Sequence, residues 1–116
     1  MRSTNKERFL SYVLEDVLGH LKGITHRAMF GGYGIYKNGV IFALIAYNKL
    51  YFKVGEKNIE EYQALKSKPF QYAQGDHRAT TMSYWLVPDL IQKDPKKISE
   101  WVRKSVAVSK AGKKST

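Results

Sequence analysis

The chain contains no cysteine. That removes a disulfide framework, a thiolate metal site and a thiol nucleophile at one stroke. Long apolar runs are missing too. The longest, Val40–Tyr47, is eight residues, against the roughly 20 needed to cross a bilayer. The first residues, Met-Arg-Ser-Thr-Asn-Lys-Glu-Arg, have no apolar signal core. The expectation is a cytoplasmic chain with no membrane partner, in a compartment where lacking disulfides is ordinary. Acid is also scarce: 10 Asp and Glu stand against 20 Lys and Arg, a net charge of +10.

What is present suits one folded unit. With 116 residues, 43% of them hydrophobic, the chain can bury a core and is too short for two. It is read as a single domain over 1–110 followed by a basic polar tail, 111–116. The charge is uneven: Lys96, Lys97, Arg103, Lys104, Lys110, Lys113 and Lys114 face only Glu100, a net +6 over the last 21 residues. Such a cluster offers phosphate contacts to a nucleic acid through counterion release; the competing reading is a solubilising end.

Periodicity orders the elements. Phe9, Leu10, Val13, Leu14, Val17, Leu18 and Leu21 form one stripe, so a helix is expected over 4–22. Thr4 and Glu7 have the form of a capping box, and Gly23 stands where a left-handed C-cap would end it. Extended segments follow: Ile24–Phe30, Tyr33–Lys37, Val40–Tyr47 and Leu50–Val54. Asn38-Gly39 is a strong hairpin signal, and Asn48-Lys49 is read as a second tight turn. Val40–Tyr47 lacks a polar face, which predicts a central strand covered on both sides. Asn58 is expected to cap a short helix over 59–65, and Phe70-Gln71-Tyr72 to be briefly extended. Gln74–Arg78 reads as a polar loop. Thr80–Val87 alternates, with Met82, Tyr84 and Leu86 opposite Thr81, Ser83, Trp85 and Val87. Asp94-Pro95 opens a last helix whose inner stripe is Ile98, Trp101, Val102 and Ser105. The fold class is α+β: two layers, an antiparallel sheet of about five strands with an N-terminal, a short middle and a C-terminal helix.

No catalytic template fits. His20, His26 and His77 fall on a helix, a strand and a loop, without metal-ligand spacing. Ser83 has no nucleophile elbow. The neighbouring acids Glu15-Asp16 and Glu60-Glu61 diverge on their helices. The chain is read as non-enzymatic, with no cofactor, no metal and no catalytic residue. Gly31, Gly32 and Gly34, with Arg27, could hold a small anion, with Tyr36 or Tyr84 as hydrogen-bond donor. The competing reading is a sharp bend between strands. The sheet aromatics offer cross-strand packing or a contact surface, with Tyr and Trp as anchors.

One string is distinctive: Arg27-Ala28-Met29-Phe30-Gly31-Gly32-Tyr33-Gly34-Ile35-Tyr36. Phe42-Ala43-Leu44, Leu50-Tyr51-Phe52-Lys53-Val54, Pro69-Phe70-x-Tyr72, Met82-Ser83-Tyr84-Trp85-x-x-Pro88, Asp94-Pro95 and Trp101 accompany it in order. Together they resemble the N-terminal domain of the TfoX/Sxy family, from about Phe9 to Ala107. The resemblance implies a bacterial regulator of natural competence, working with the transcription machinery beside the cyclic-AMP receptor protein. It implies a secretion-chaperone-like two-layer fold. Full-length members carry a second, helix-hairpin-helix-like domain, which this chain is expected to lack. No catalytic residues come with the resemblance. Met29, Phe30, Gly31, Gly32, Tyr33, Gly34, Tyr84, Trp85, Pro88 and Trp101 are expected to be architectural. The leading reading is therefore a regulatory, protein-binding domain. A direct nucleic-acid module on the basic helix and tail is the first alternative, and an anion site at the glycine bend the second. A homodimer and a monomer are both open.

Overall fold

The computed structural model describes residues 4–29, 31–73 and 79–114. Side chains at 71–73, 79–82 and 112–114 lie outside that description. Phe30 and the expected loop Gln74–Arg78, with His77, fall outside it as well.

Six strands form one antiparallel sheet: β1 (Ile24–Met29), β2 (Gly32–Lys37), β3 (Val40–Ala46), β4 (Lys49–Lys53), β5 (Pro69–Ala73) and β6 (Ala79–Leu86). Their spatial order is β1-β2-β3-β4-β6-β5. The helices are α1 (Asn5–Ser11), α2 (Ile59–Ala64), α3 (Asp89–Gln92) and α4 (Pro95–Lys114). The α+β class holds, with six strands where about five were expected. The short α3 carries no sequence signal beyond Pro88 at its N-terminus. No helix among the described residues is long and apolar enough to cross a membrane.

The first helix departs from expectation. The Thr4–Glu7 capping box forms in both directions, but after Ser11 the chain widens into a π-helical stretch, Tyr12–Val17. The Leu18 amide then donates five residues back, to the Val13 carbonyl, at 2.9 Å. Helix ends at Val17, not at 22. A Cβ on Gly19 would stand 2.1 Å from the Glu15 carbonyl oxygen, so only glycine lets the chain leave there. Gly23, at φ +77°, turns the chain into β1 and does not cap the helix.

The tight turns follow backbone chemistry. Asn38 and Gly39 take φ +50° and +84°, as a hairpin of this type requires. The second turn is Tyr47-Asn48, at φ +52° and +58°, and not Asn48-Lys49. Tyr47 therefore leaves the strand it was assigned to. Asn58 does not cap α2. Its side chain turns back, accepting from the Gly55 amide at 2.7 Å and donating to the Lys53 carbonyl at 3.1 Å. Asp94 does cap α4: its carboxylate accepts from the Lys96 and Lys97 amides.

Helices cover one face of the sheet. Val13, Val17 and Leu18 from the first helical segment, Tyr62 from α2, Ile91 from α3, and Ile98, Trp101 and Val102 from α4 pack with Ile35, Phe42, Ala43, Ile45, Leu50 and Phe52. The expected α4 stripe is buried in full, Ser105 included. Ser105 is satisfied by donating to the Lys53 carbonyl at 2.8 Å. The apolar run of β3 contains a bulge. Ile35 pairs with Ala43 and Tyr36 with Ile41, leaving Phe42 as the extra residue. Phe42 and Ala43 thereby both reach the helix side.

The other face has no helix among the described residues. Leu44, Tyr51, Phe70 and Tyr84 are buried there against Met29, Ile41, Ala46 and Leu86, all of them strand residues. β3 is central as expected, but its second face is covered by side chains of the sheet itself rather than by another layer.

Candidate functional site

Two surfaces could do work. The first is the helix-free face. None of the six strands contains an Asp or Glu. Nine of the ten acids lie on helices or on the segments leading into them, and Asp76 falls outside the described residues. The face does carry cations. Arg27 alternates with Met29 onto it and is exposed. Lys53 places its ammonium 5.1 Å from the centre of the Tyr84 ring. Burial raises the Tyr84 hydroxyl above its ordinary pKa, with Tyr36 adding to the effect. Burial, then Tyr47, raises Tyr51 likewise. At neutral pH the face is thus positive, with neutral phenols.

Tyr47 stands at its rim. It is 78% exposed and takes a left-handed conformation that a large side chain disfavours. Its ring lies 6.4 Å from Phe70, which in turn sits 4.9 Å from Tyr51. An exposed aromatic on strained backbone, next to an apolar cluster, is the form a contact anchor takes. No sequence signal singled out Tyr47, because its assignment to a strand hid it. Both tryptophans belong to the helix side of the sheet. Trp101 is buried with its ring 4.3 Å from Tyr62, and Trp85 packs on the helix side.

The glycine bend resolves into two different roles. Gly31 turns the chain at φ +74°. Gly32 and Gly34 lie inside β2, paired to β1 at Met29 and Arg27, and Gly34 also to Leu44 of β3. A Cβ on Gly32 would stand 1.9 Å from the Ile45 carbonyl oxygen, and one on Gly34 would stand 2.7 Å from the Met29 methyl. These glycines serve close packing in a sheet. Both lie in paired strands, and Arg27, opposite Gly34, is exposed.

The second surface is α4, and it divides the expected basic cluster. Lys96, Arg103 and Lys110 recur every seven residues, so they share one flank about 10 Å apart. Lys96, Arg103 and Lys110 are exposed. Lys97 and Lys104 lie on the opposite flank. Lys104 is paired with Glu61 of α2 at 3.0 Å, which takes it out of a free basic patch. Lys113 and Lys114 continue the helix, but their side chains are among those not described. The helix runs through Gly112, into the stretch read as a tail.

The two described histidines contact different elements. His20 docks on the start of α4, its Nε2 within 3.2 Å of the Pro95 carbonyl and 3.1 Å of the Ser99 hydroxyl. His26 lies exposed on β1, its ring 5.9 Å from Tyr33. Among the described residues, no three His, Asp or Glu side chains cluster to hold a metal.

Among the described residues, the six-stranded sheet thus has helices on one side and a positive, aromatic face on the other, a two-layer α+β architecture. The family model of the TfoX N-terminal domain matches residues 16–109. The chain belongs to that family. It is similar to the DNA transformation protein TfoX1 of Aliivibrio fischeri, with 26% identity over 105 residues. That match covers 90% of this chain and 47% of the relative, so the chain spans about half the length of the curated protein it matches.

Proposed function

We propose that this domain is a non-enzymatic, protein-binding module of a competence regulator, and that it engages its partner through the helix-free face of the sheet. The carrying observation is the composition of that face: an apolar floor of Ile41, Leu44, Ala46 and Leu86, the exposed Tyr47, and cations without a carboxylate among the described residues. Charge complementarity then favours a partner surface that is acidic around an apolar centre. A second copy of this chain fits less well, because it would set Arg27 and Lys53 against like charge.

The test is complementation in the native host. The gene is deleted and replaced by wild type, by Tyr47→Ser or by Lys53→Glu. Transcripts of the DNA-uptake genes are then measured, with a photo-crosslinker at position 47 to capture the partner. The expected result is loss of the transcript response in both variants and a crosslink to an acidic protein. Full activity of both variants would refute the reading.

A second reading is favoured by the Lys96, Arg103 and Lys110 flank of α4, whose charges have no ion pair among the described residues. This flank could hold nucleic-acid phosphates. Absence of a mobility shift with labelled DNA or RNA at about 50 mM salt, where such contacts are strongest, removes it.

A further inference from the structure

A cleft of about 440 Å³ lies between α4 and the β2–β3 hairpin. Its aliphatic lining comes from Leu21, Val40, Val102, Val106 and Ala107, and its cations are Lys37, Arg103 and Lys110. Among the described residues, no carboxylate and no aromatic ring lines it. Lys37 is held in place, its ammonium donating to the Lys22 carbonyl at 2.7 Å. Arg103 and Lys110 have no hydrogen-bond or ion-pair partner among the described residues. Val40 and Val106 remain only half-buried at the floor.

Three occupants can be weighed. Single-stranded nucleic acid would find phosphate contacts but no ring on which to stack a base. A partner helix is a cylinder about 11 Å across. Laid along α4 it would need a continuous apolar track for its buried face, whereas the aliphatic residues lining the cleft and not already buried are Leu21, Val40, Val106 and Ala107, flanked by Lys37, Arg103 and Lys110. A small molecule fits, since ligand sites of about 300–1,000 Å³ with apolar walls and a few convergent polar groups are the usual kind. We infer that the cleft binds a small amphipathic monoanion, with an aliphatic body on Val40, Val102 and Val106 and an anionic head between Arg103 and Lys110. The site lies on the helix side of the sheet, apart from the protein-binding face, and does not depend on it.

The experiment is methyl NMR on the full chain, titrated in parallel with sodium decanoate, decanol, inorganic phosphate and phosphatidylglycerol vesicles. Decanoate should give saturable shifts at Leu21, Val40, Val102 and Val106 and leave Leu44 and Ile41 unmoved. Decanol, without the charge, and phosphate, without the chain, should each bind at least about tenfold more weakly, the scale of one lost charge-assisted hydrogen bond. Arg103→Ala should weaken decanoate by a similar factor. Ala107→Trp, a substitution at an exposed position on the cleft's lip, should abolish binding while leaving the spectrum of the far face intact. Several results would overturn the assignment: no shifts with decanoate, equal binding of decanol, shifts spread over both faces, or full binding by Ala107→Trp. Vesicle binding without decanoate binding would also overturn it, in favour of adsorption by surface charge. Displacement of decanoate by a short DNA duplex would give the cleft to nucleic acid instead.

Discussion

Tyr62 of α2 and Trp101 of α4 pack with ring centroids 4.3 Å apart, and together they join the middle helix to the last one. Among the described residues, the Tyr62 hydroxyl has no hydrogen-bond partner. It lies beside Ser105, whose own proton goes to the Lys53 carbonyl. Removing an unsatisfied buried hydroxyl costs nothing and can stabilise, whereas removing the ring opens a cavity. Tyr62→Phe should therefore leave the urea midpoint unchanged or raise it. Tyr62→Ala should lose about 3–5 kcal/mol. Equilibrium unfolding of the pair checks this, and a marked loss in Tyr62→Phe would show that the hydroxyl is bonded in solution.

The glycines of the motif should fail in a fixed order. Gly32→Ala drives a methyl into a backbone carbonyl oxygen 1.9 Å away, and backbone cannot give way cheaply. Gly34→Ala meets chiefly the flexible end of Met29, which can move. Gly31→Ala has open space and carries only the strain of φ +74°, about 1 kcal/mol. Urea midpoints should fall most for Gly32→Ala and least for Gly31→Ala.

Tyr47 offers a separation of stability from binding. Asn tolerates the left-handed region far better than Tyr, so Tyr47→Asn should stabilise the fold by up to about 1 kcal/mol. The same change removes the exposed ring at the rim of the helix-free face. Thermal melting should rise while partner capture falls. A fall in both would mean that the contact with Phe70 matters more to the fold than the backbone strain does.

On α4, the two basic flanks should behave differently. Lys104 and Glu61 are each about one-third exposed, so their pair contributes at most about 1 kcal/mol. A double-mutant cycle on Lys104→Ala and Glu61→Ala should return a coupling within that limit. If nucleic acid binds at all, Lys104→Ala should barely change the shift. Arg103→Ala and Lys110→Ala should weaken binding and flatten its salt dependence.

Much of this molecule was legible where local chemistry and the fold agree. Asn38-Gly39 and Asp94-Pro95 act as their side chains dictate, and the stripe Ile98, Trp101, Val102 and Ser105 is buried as its spacing implies. The failures share a cause: tertiary packing overrode a local preference. Tyr47 takes a turn conformation that its own propensity opposes. The bulge at Phe42 leaves no trace in an all-apolar run, because there is no alternation for it to interrupt. The π-helical widening after Ser11 preserves the apolar spacing that suggested one regular helix. For the candidate surfaces, the sequence showed the basic cluster but not its division. The partner of Lys104 is 43 residues away in the chain, on α2.

The tyrosines set the alkaline limit of the fold. Burial is the leading cause that raises Tyr12, Tyr51, Tyr62 and Tyr84 above the ordinary tyrosine value near 10. Tyr62, the most enclosed, is raised furthest. More than about one pH unit below 10 these phenols are neutral in both folded and unfolded chains, so they add no pH dependence. Above it, the unfolded chain releases protons that the folded one retains. Stability must then fall with rising pH, by up to about 1.4 kcal/mol per pH unit for each tyrosine held neutral. The urea midpoint should be flat from pH 8 to about 9.5 and drop steeply toward pH 11. In Tyr62→Phe the drop should be shallower, since one retained proton is gone. An equal slope in both proteins would mean that Tyr62 ionises as readily in the folded chain as in the unfolded one.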